Sequence, residues 1–252
     1  MIINAPSPDQ LPGLRRLWQL AFGDTDAFLD SFFSTAFSPG RCRCITENGQ
    51  VLAALYWFPC SCAGHKLAYL YAVATHPDHR GKGLCRALMK DTHAHLAAQG
   101  YAGCLLVPQE EGLRKLYAGL GYEECTGISQ FDCAAGETGL PLRLITAEEY
   151  AELRRSALPA HAVLQEQENL DFLKTQVSFY SGPGLLLAAA KEGNSLFCPE
   201  LLGDPSAAPG VLHTLGALHG TFRTPGSTVP FTMYRPLTAT APVPSHFAFA
   251  FD

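Results

Sequence analysis

Hydrophobic and polar positions change period several times along this chain, and each change marks an element. Leu14, Leu17, Trp18 and Ala21 recur at helical spacing behind Ser7-Pro8-Asp9-Gln10, which predicts an amphipathic helix with a defined start. A second helix, rich in Phe28, Phe32 and Phe33, is predicted over 27–36. Three runs of β-formers follow at 41–46, 51–58 and 67–75, separated by the turn signals Asn48-Gly49 and Ala63-Gly64. The third run stops at His76-Pro77-Asp78. Arg80-Gly81-Lys82-Gly83 comes next, and Leu84, Leu88 and Met89 then resume a helical face as far as Gln99-Gly100, where the glycine ends the helix. A buried strand at 103–107, a helix through Leu116 and Tyr117, and Gly121-Tyr122 complete this half. Strand, helix and strand after a meander predict a mixed α/β sheet.

The second half restarts after a loop-like stretch from Cys133 to Pro141. A strand at 142–145 runs into Thr146-x-x-Glu149, a capping box opening an amphipathic helix. Residues 185–190 and 195–202, joined by Lys191-Glu-Gly-Asn194, read as a hairpin. A short helix is predicted over 211–219 and strands over 229–235 and 246–251; the last alternates strictly, as a half-buried strand does.

Composition narrows the class. The 252 residues are 47% hydrophobic and 16% charged, enough apolar material for one large domain or two ordinary ones. A formal charge of −5 lacks the basic field of a nucleic-acid binder. The first residues show no charged region followed by an apolar core, and the most apolar stretch, 185–190, is too short to span a bilayer. No membrane and a cytoplasmic location are therefore expected. The nine cysteines include Cys42-x-Cys44 and Cys60-x-Cys62, but zinc knuckles want two or more intervening residues. With Asn48-Gly49 as a two-residue turn, residues whose numbers sum to 97 face each other, so Cys42 is expected opposite Leu55, far from Cys60. No metal is expected, and the cysteines are read as small, buried and reduced.

The chemistry concentrates in 80–86. A strand, a glycine-rich turn and a helix start leave unpaired backbone N–H groups in front of the positive helix pole, an arrangement that holds phosphate. Gly81 and Gly83 let a ligand lie against the main chain, and Arg80, Lys82 and Arg86 add charge. The segment is not a Walker loop, because Gly-Lys is followed by Gly-Leu and not by Ser or Thr. It is not a dinucleotide fingerprint either, because Arg86 stands where a third glycine belongs.

Arg80-x-x-Gly83-x-Cys85, preceded by Val-Ala-Thr-His-Pro-Asp-His, resembles the acyl-CoA pyrophosphate loop Arg/Gln-x-x-Gly-x-Gly/Ala of the GNAT acetyltransferase superfamily, with Cys85 the departure. The order of elements resembles that superfamily as far as about residue 133. The resemblance implies the acyl-CoA N-acyltransferase fold, an α/β (α+β) arrangement with a mixed, mostly antiparallel central sheet flanked by helices. It implies acetyl-CoA as cosubstrate, held by Arg80, Gly81, Lys82, Gly83, Leu84, Cys85 and Arg86 at the pyrophosphate. Main-chain groups of Val73, Ala74 and Thr75 would hold the pantetheine, where strand 70–75 splays from 103–107. Leu116-Tyr117-x-x-x-Gly121-Tyr122 is similar to the superfamily segment whose tyrosine protonates the departing thiolate, which makes Tyr117 the implied acid. Tyr122 reads as packing. Glu110 and Glu111 stand near the implied mouth, either as base candidates or as dipole partners at a helix start. His93 and His95 fall mid-helix and are expected at the surface.

Residues 1–135 are thus expected to be the acyl-CoA-binding acetyltransferase domain. Residues 140–252, which carry no second copy of the loop, are expected to be a degenerate acetyltransferase-like domain. This resembles the tandem, Eis-like acetyltransferases, in which the second half helps wall the acceptor pocket and the terminal carboxylate reaches the active site, making Asp252 a base candidate. The expected reaction is direct transfer of acetyl from acetyl-CoA to a primary amine of a small molecule or peptide, without a covalent enzyme intermediate. A non-catalytic acyl-CoA sensor and an adaptor with an empty fold are the alternatives. A homo-oligomer is left open by the sequence.

Overall fold

A computed structural model of the protein describes residues 1–250 and divides the chain into two compact units. The first comprises Met1–Glu123 and Met233–Pro242, and the second Glu124–Thr232 and, of the described residues, 243–250.

In the first unit the chain runs β1 (Ile2–Asn4), α1 (Leu11–Phe22), α2 (Asp26–Thr35), β2 (Cys42–Glu47), β3 (Gln50–Cys62), β4 (His65–Thr75), α3 (Leu84–Ala98), β5 (Gly103–Leu106) and α4 (Glu111–Ala118). The strands lie in the order β1-β2-β3-β4-β5, and residues 233–236 pair with β5 on its other side. All these pairings are antiparallel except β4 with β5. Both predicted hairpin turns form, with φ positive at Asn48, Gly49, Ala63 and Gly64 as a two-residue turn of this type requires. β3 is buried on both faces, which explains its near-continuous apolar sequence. Leu55 and Trp57 pack with Leu88, Met89 and Leu96 of α3. Tyr56 and Phe58, pointing the other way, meet an aromatic cluster built on Trp18 and Phe32 of α1 and α2.

The expected register of β2 against β3 needs a correction. The pairs Thr46↔Val51 and Glu47↔Gln50 obey the turn, but a bulge between Ile45 and Thr46 adds one residue, so Cys42 faces Tyr56 and not Leu55. His93 also needs correcting. It is buried, with its Nε2 2.8 Å from the Tyr122 hydroxyl, which in turn meets Cys104 Sγ. His95 is half-buried beside Trp57.

The second unit continues with β6 (Glu123–Ala134), β7 (Arg143–Ile145), α5 (Ala147–Ala157), α6 (Glu168–Leu173), β8 (Ser178–Gly182), β9 (Leu185–Glu192), β10 (Ser195–Leu202), α7 (Ala208–Leu215), β11 (His219–Gly226) and the start of β12 (Val229–Pro236), whose residues from Met233 onward belong to the first unit. Its strands lie in the order β6-β11-β10-β9-β8-β7, with only β10 and β11 parallel. Thr146 caps α5 by accepting from Glu149 N at 3.2 Å, while the Glu149 carboxylate pairs with Arg143. Arg154, Glu200 and Tyr150 form a buried polar knot: Arg154 Nε donates to Glu200 Oε2 at 2.7 Å and the Tyr150 hydroxyl to the same oxygen at 2.6 Å. Burial opposes ionisation of Glu200, yet Arg154 prevails and holds the carboxyl near pKa 2.

The predicted strand over 246–251 is not a ladder strand in its described part. It makes one isolated bridge, Ala162↔His246, and residues 246–250 are buried at every position and not at alternate ones. Phe249 instead lies under the Arg154 guanidinium and exchanges hydrogen bonds with the Gln165 side chain. Among the described residues no helix is long and apolar enough to cross a membrane.

Candidate active site

The site is built at one end of the first unit, where β4 and β5 part. These strands pair in parallel at Leu67↔Gly103, Ala68↔Cys104 and Tyr69↔Leu105, and no pairing continues beyond Tyr69. Just past that point β4 carries a bulge. Ala54 faces Ala74 and Tyr56 faces Tyr71, so two residues, Ala72 and Val73, oppose Leu55 alone, and Ala72 takes φ +47°. The end of β4 is thereby left without a strand neighbour on the β5 side, and its polar main-chain groups face open space.

β4 then turns through a short helical segment, Pro77–His79, into the glycine loop. Gly81 and Gly83 adopt φ +75° and +77°, the left-handed conformation that L side chains avoid, and no atom lies within 4 Å of where a Cβ would stand on either. Gly83 is the N-cap of α3. Unlike Thr25 and Thr146, which cap α2 and α5 with a hydroxyl, it has no side chain to offer the first-turn N–H groups. Those donors, at Leu84, Cys85 and Arg86, have no acceptor within the helix.

A cavity of about 710 Å³ opens here. It is lined by Val73, Ala74 and Thr75, by Arg80, Gly81, Gly83, Leu84, Cys85 and Arg86, and by Tyr117. Lys82 alone of the expected donor-site residues is not in its wall. The sequence reading missed Ala21 and Phe22 at the end of α1, His79, Gln109, and Leu113 with Leu116 on the Tyr117 helix. The signal for Leu113 and Leu116 was present, since they share the face of Tyr117. Phe22 had no signal beyond being the last aromatic residue before Gly23. Glu110 also lines the cavity, whereas Glu111 pairs with Lys115. Arg80 and Arg86 set against Glu110 make the lining favourable to an anion.

Tyr117 is 6% exposed and its phenol is held well above the usual tyrosine range, first by burial and then by the neighbouring Cys85. It is therefore a protonated hydroxyl at neutral pH, able to donate. Its ring meets Tyr122 edge-on at 5.8 Å. Tyr122 is more than packing: its hydroxyl lies 2.8 Å from His93 Nε2 and 3.1 Å from Cys104 Sγ. Burial, followed by the Arg235 charge, lowers the His93 pKa to about 4, so this network is neutral. Asp252 lies outside the described residues.

Residues 3–125, which contain every part of this cavity, match the family model of the acetyltransferase (GNAT) domain. Over these residues, just under half of the chain, the sequence is similar to a GNAT acetyltransferase domain. Solved structures share the fold over nearly its whole length. The GCN5-related N-acetyltransferase from Kribbella flavida aligns with a TM-score of 0.74 at 17% identity, covering 95% of this chain and 72% of that one. The GCN5-related N-acetyltransferase from Anabaena variabilis gives 0.72 at 15%, covering 94% and 73%. Eis1 from Mycobacterium abscessus gives 0.67 at 13%, covering 94% and 74%. No curated protein matches the sequence. The GNAT family and fold support acyl transfer as the general chemistry of this chain.

Proposed function

We propose that the protein is an acetyl-CoA-dependent N-acetyltransferase acting on a primary amine of a small molecule or peptide. The observation that carries this reading is one cavity whose wall holds a strand end without a neighbour, an uncapped helix start behind two left-handed glycines, and a buried, protonated tyrosine.

In this reading Arg80 and the main chain of Gly81, Gly83, Leu84 and Cys85 take the pyrophosphate, and Arg86 flanks them. Val73, Ala74 and Thr75 take the pantetheine amides as a strand partner would. Attack of the amine on the thioester makes a tetrahedral oxyanion, which a main-chain N–H at 73–74 stabilises. The departing thiolate then takes a proton from Tyr117. Glu110 is the carboxylate of the cavity wall and the first residue to test as the base that deprotonates the ammonium. The second unit is read as a degenerate acetyltransferase-like fold without a donor loop.

Titration with acetyl-CoA, followed by thermal shift, and then thiol release against a panel of amines test the proposal. Stabilisation by acetyl-CoA together with amine-dependent release supports it. Stabilisation without release would assign the protein to donor sensing, and neither response would leave an adaptor.

A further inference from the structure

Arg86 touches two things at once. It lines the cavity, and its Nη1 donates to the Gly119 carbonyl at 3.1 Å, 33 positions away in sequence. Gly119 is the C-cap of α4, the helix that carries Tyr117, so the guanidinium sits at that helix's negative pole and satisfies one of its terminal carbonyls. The approach is close: a Cβ on Gly119 would stand 3.6 Å from Arg86 Nη2. Next to it, Arg235 donates to the Leu120 carbonyl. The turn these two arginines grip folds back on Tyr117 itself, because Leu120 N and Tyr122 N both donate to the Tyr117 carbonyl, at 2.8 and 3.1 Å. The backbone of Tyr117 is thus held by a turn whose outer carbonyls are anchored on α3 by Arg86 and on the 233–236 strand by Arg235.

We propose that Arg86 is a positioning residue for Tyr117, tying the donor-loop helix to the tyrosine helix, and not a principal ligand of the pyrophosphate. The proposal rests on the reading of Tyr117 as the acid. It departs from the sequence expectation, which grouped Arg86 with Arg80. Among the described residues the Arg80 guanidinium donates to its local neighbour Thr75 O, at a long 3.4 Å, and remains available to an anion. One guanidinium nitrogen of Arg86 is already committed to Gly119.

The test compares the wild-type protein with Arg86→Met, Tyr117→Phe and the double variant, all as the full chain. In the free protein, hydrogen exchange at the amides of residues 119–122 is expected to speed up at least threefold in Arg86→Met and to stay unchanged in α3. In turnover, kcat is expected to fall about tenfold while KM for acetyl-CoA moves less than about threefold. On the Tyr117→Phe background, Arg86→Met is expected to change kcat by less than about twofold, because its effect acts through that phenol. A raised KM with kcat preserved overturns the proposal and makes Arg86 a phosphate ligand. Equal losses of kcat on both backgrounds overturn it as well. Should the wild-type protein release no thiol with any amine, the N-acetyltransferase reading falls; the exchange arm still decides, and unchanged protection at 119–122 overturns the positioning role.

Discussion

Removal of the Tyr117 hydroxyl isolates the proposed acid step from everything else the side chain does. Tyr117→Phe keeps the ring, which belongs to a residue only 6% exposed and packs edge-on against Tyr122, so no cavity is made in the core. Positioned proton transfer contributes about 10²–10⁴ in rate, and water in an open cavity of about 710 Å³ replaces part of it, so a loss of at least tenfold in kcat is expected. Tenfold corresponds to about 1.4 kcal/mol of transition-state stabilisation. Affinity for acetyl-CoA is expected to stay within about twofold, since the lost group meets sulfur only as charge develops there. Because burial raises the phenol's pKa, wild-type turnover should show no alkaline loss from this group below pH 10. The assay is thiol release with the best amine of the panel, beside calorimetric titration of acetyl-CoA into both proteins. A variant with unchanged kcat removes Tyr117 from the mechanism, and one that binds acetyl-CoA tenfold more weakly shows that the phenol holds the ground state.

Other expectations test the loop, the buried histidine and the second unit. Gly83→Ala forces a Cβ into a left-handed site, at a cost of about 1–2 kcal/mol, and puts a methyl where a phosphate would lie; urea unfolding should show the first effect and a weakened acetyl-CoA titration the second. His93 has a folded pKa near 4, below its unfolded value, so its contribution is complete above about pH 6.5, is lost as pH falls toward 4 and is flat below that. The shift is worth about 3 kcal/mol at most, and His93→Gln should flatten the unfolding free energy across that window relative to wild type. Arg154→Met leaves Glu200 buried without its cation and is expected to cost about 3–5 kcal/mol in urea unfolding at pH 7. In the wild type the depressed Glu200 pKa means that this stability is present above about pH 4.5 and is lost as pH falls toward 2.

Local chemistry made some elements readable and hid others. Asn48-Gly49 and Ala63-Gly64 fix turns by themselves, since positive φ is needed there whatever surrounds them. β6 and β11 carry no such local signal. β6 is built of small and polar residues around Gly127, and β11 contains Gly220, Pro225 and Gly226, so each is a strand only because its neighbours pair with it. The 246–250 segment has the reverse history: its alternation promised a half-buried strand, but residues on both sides cover it and it pairs at one point. The bulge before Thr46 moved Cys42 by one partner, a shift that no turn signal announces.

The sequence by itself determined the glycine loop at 80–86, because glycines, helix start and arginines are contiguous and their conformational needs are local. It also determined the pairing of Tyr117 with that loop, through a short motif on a helical face. Tertiary structure alone decided that β4 and β5 part after Tyr69, that Lys82 is left out of the cavity wall while Phe22 joins it, and that Arg86 spends a hydrogen bond on the helix of Tyr117. Those outcomes depend on partners up to dozens of residues away, and the energy of such contacts is written in no single stretch of the chain.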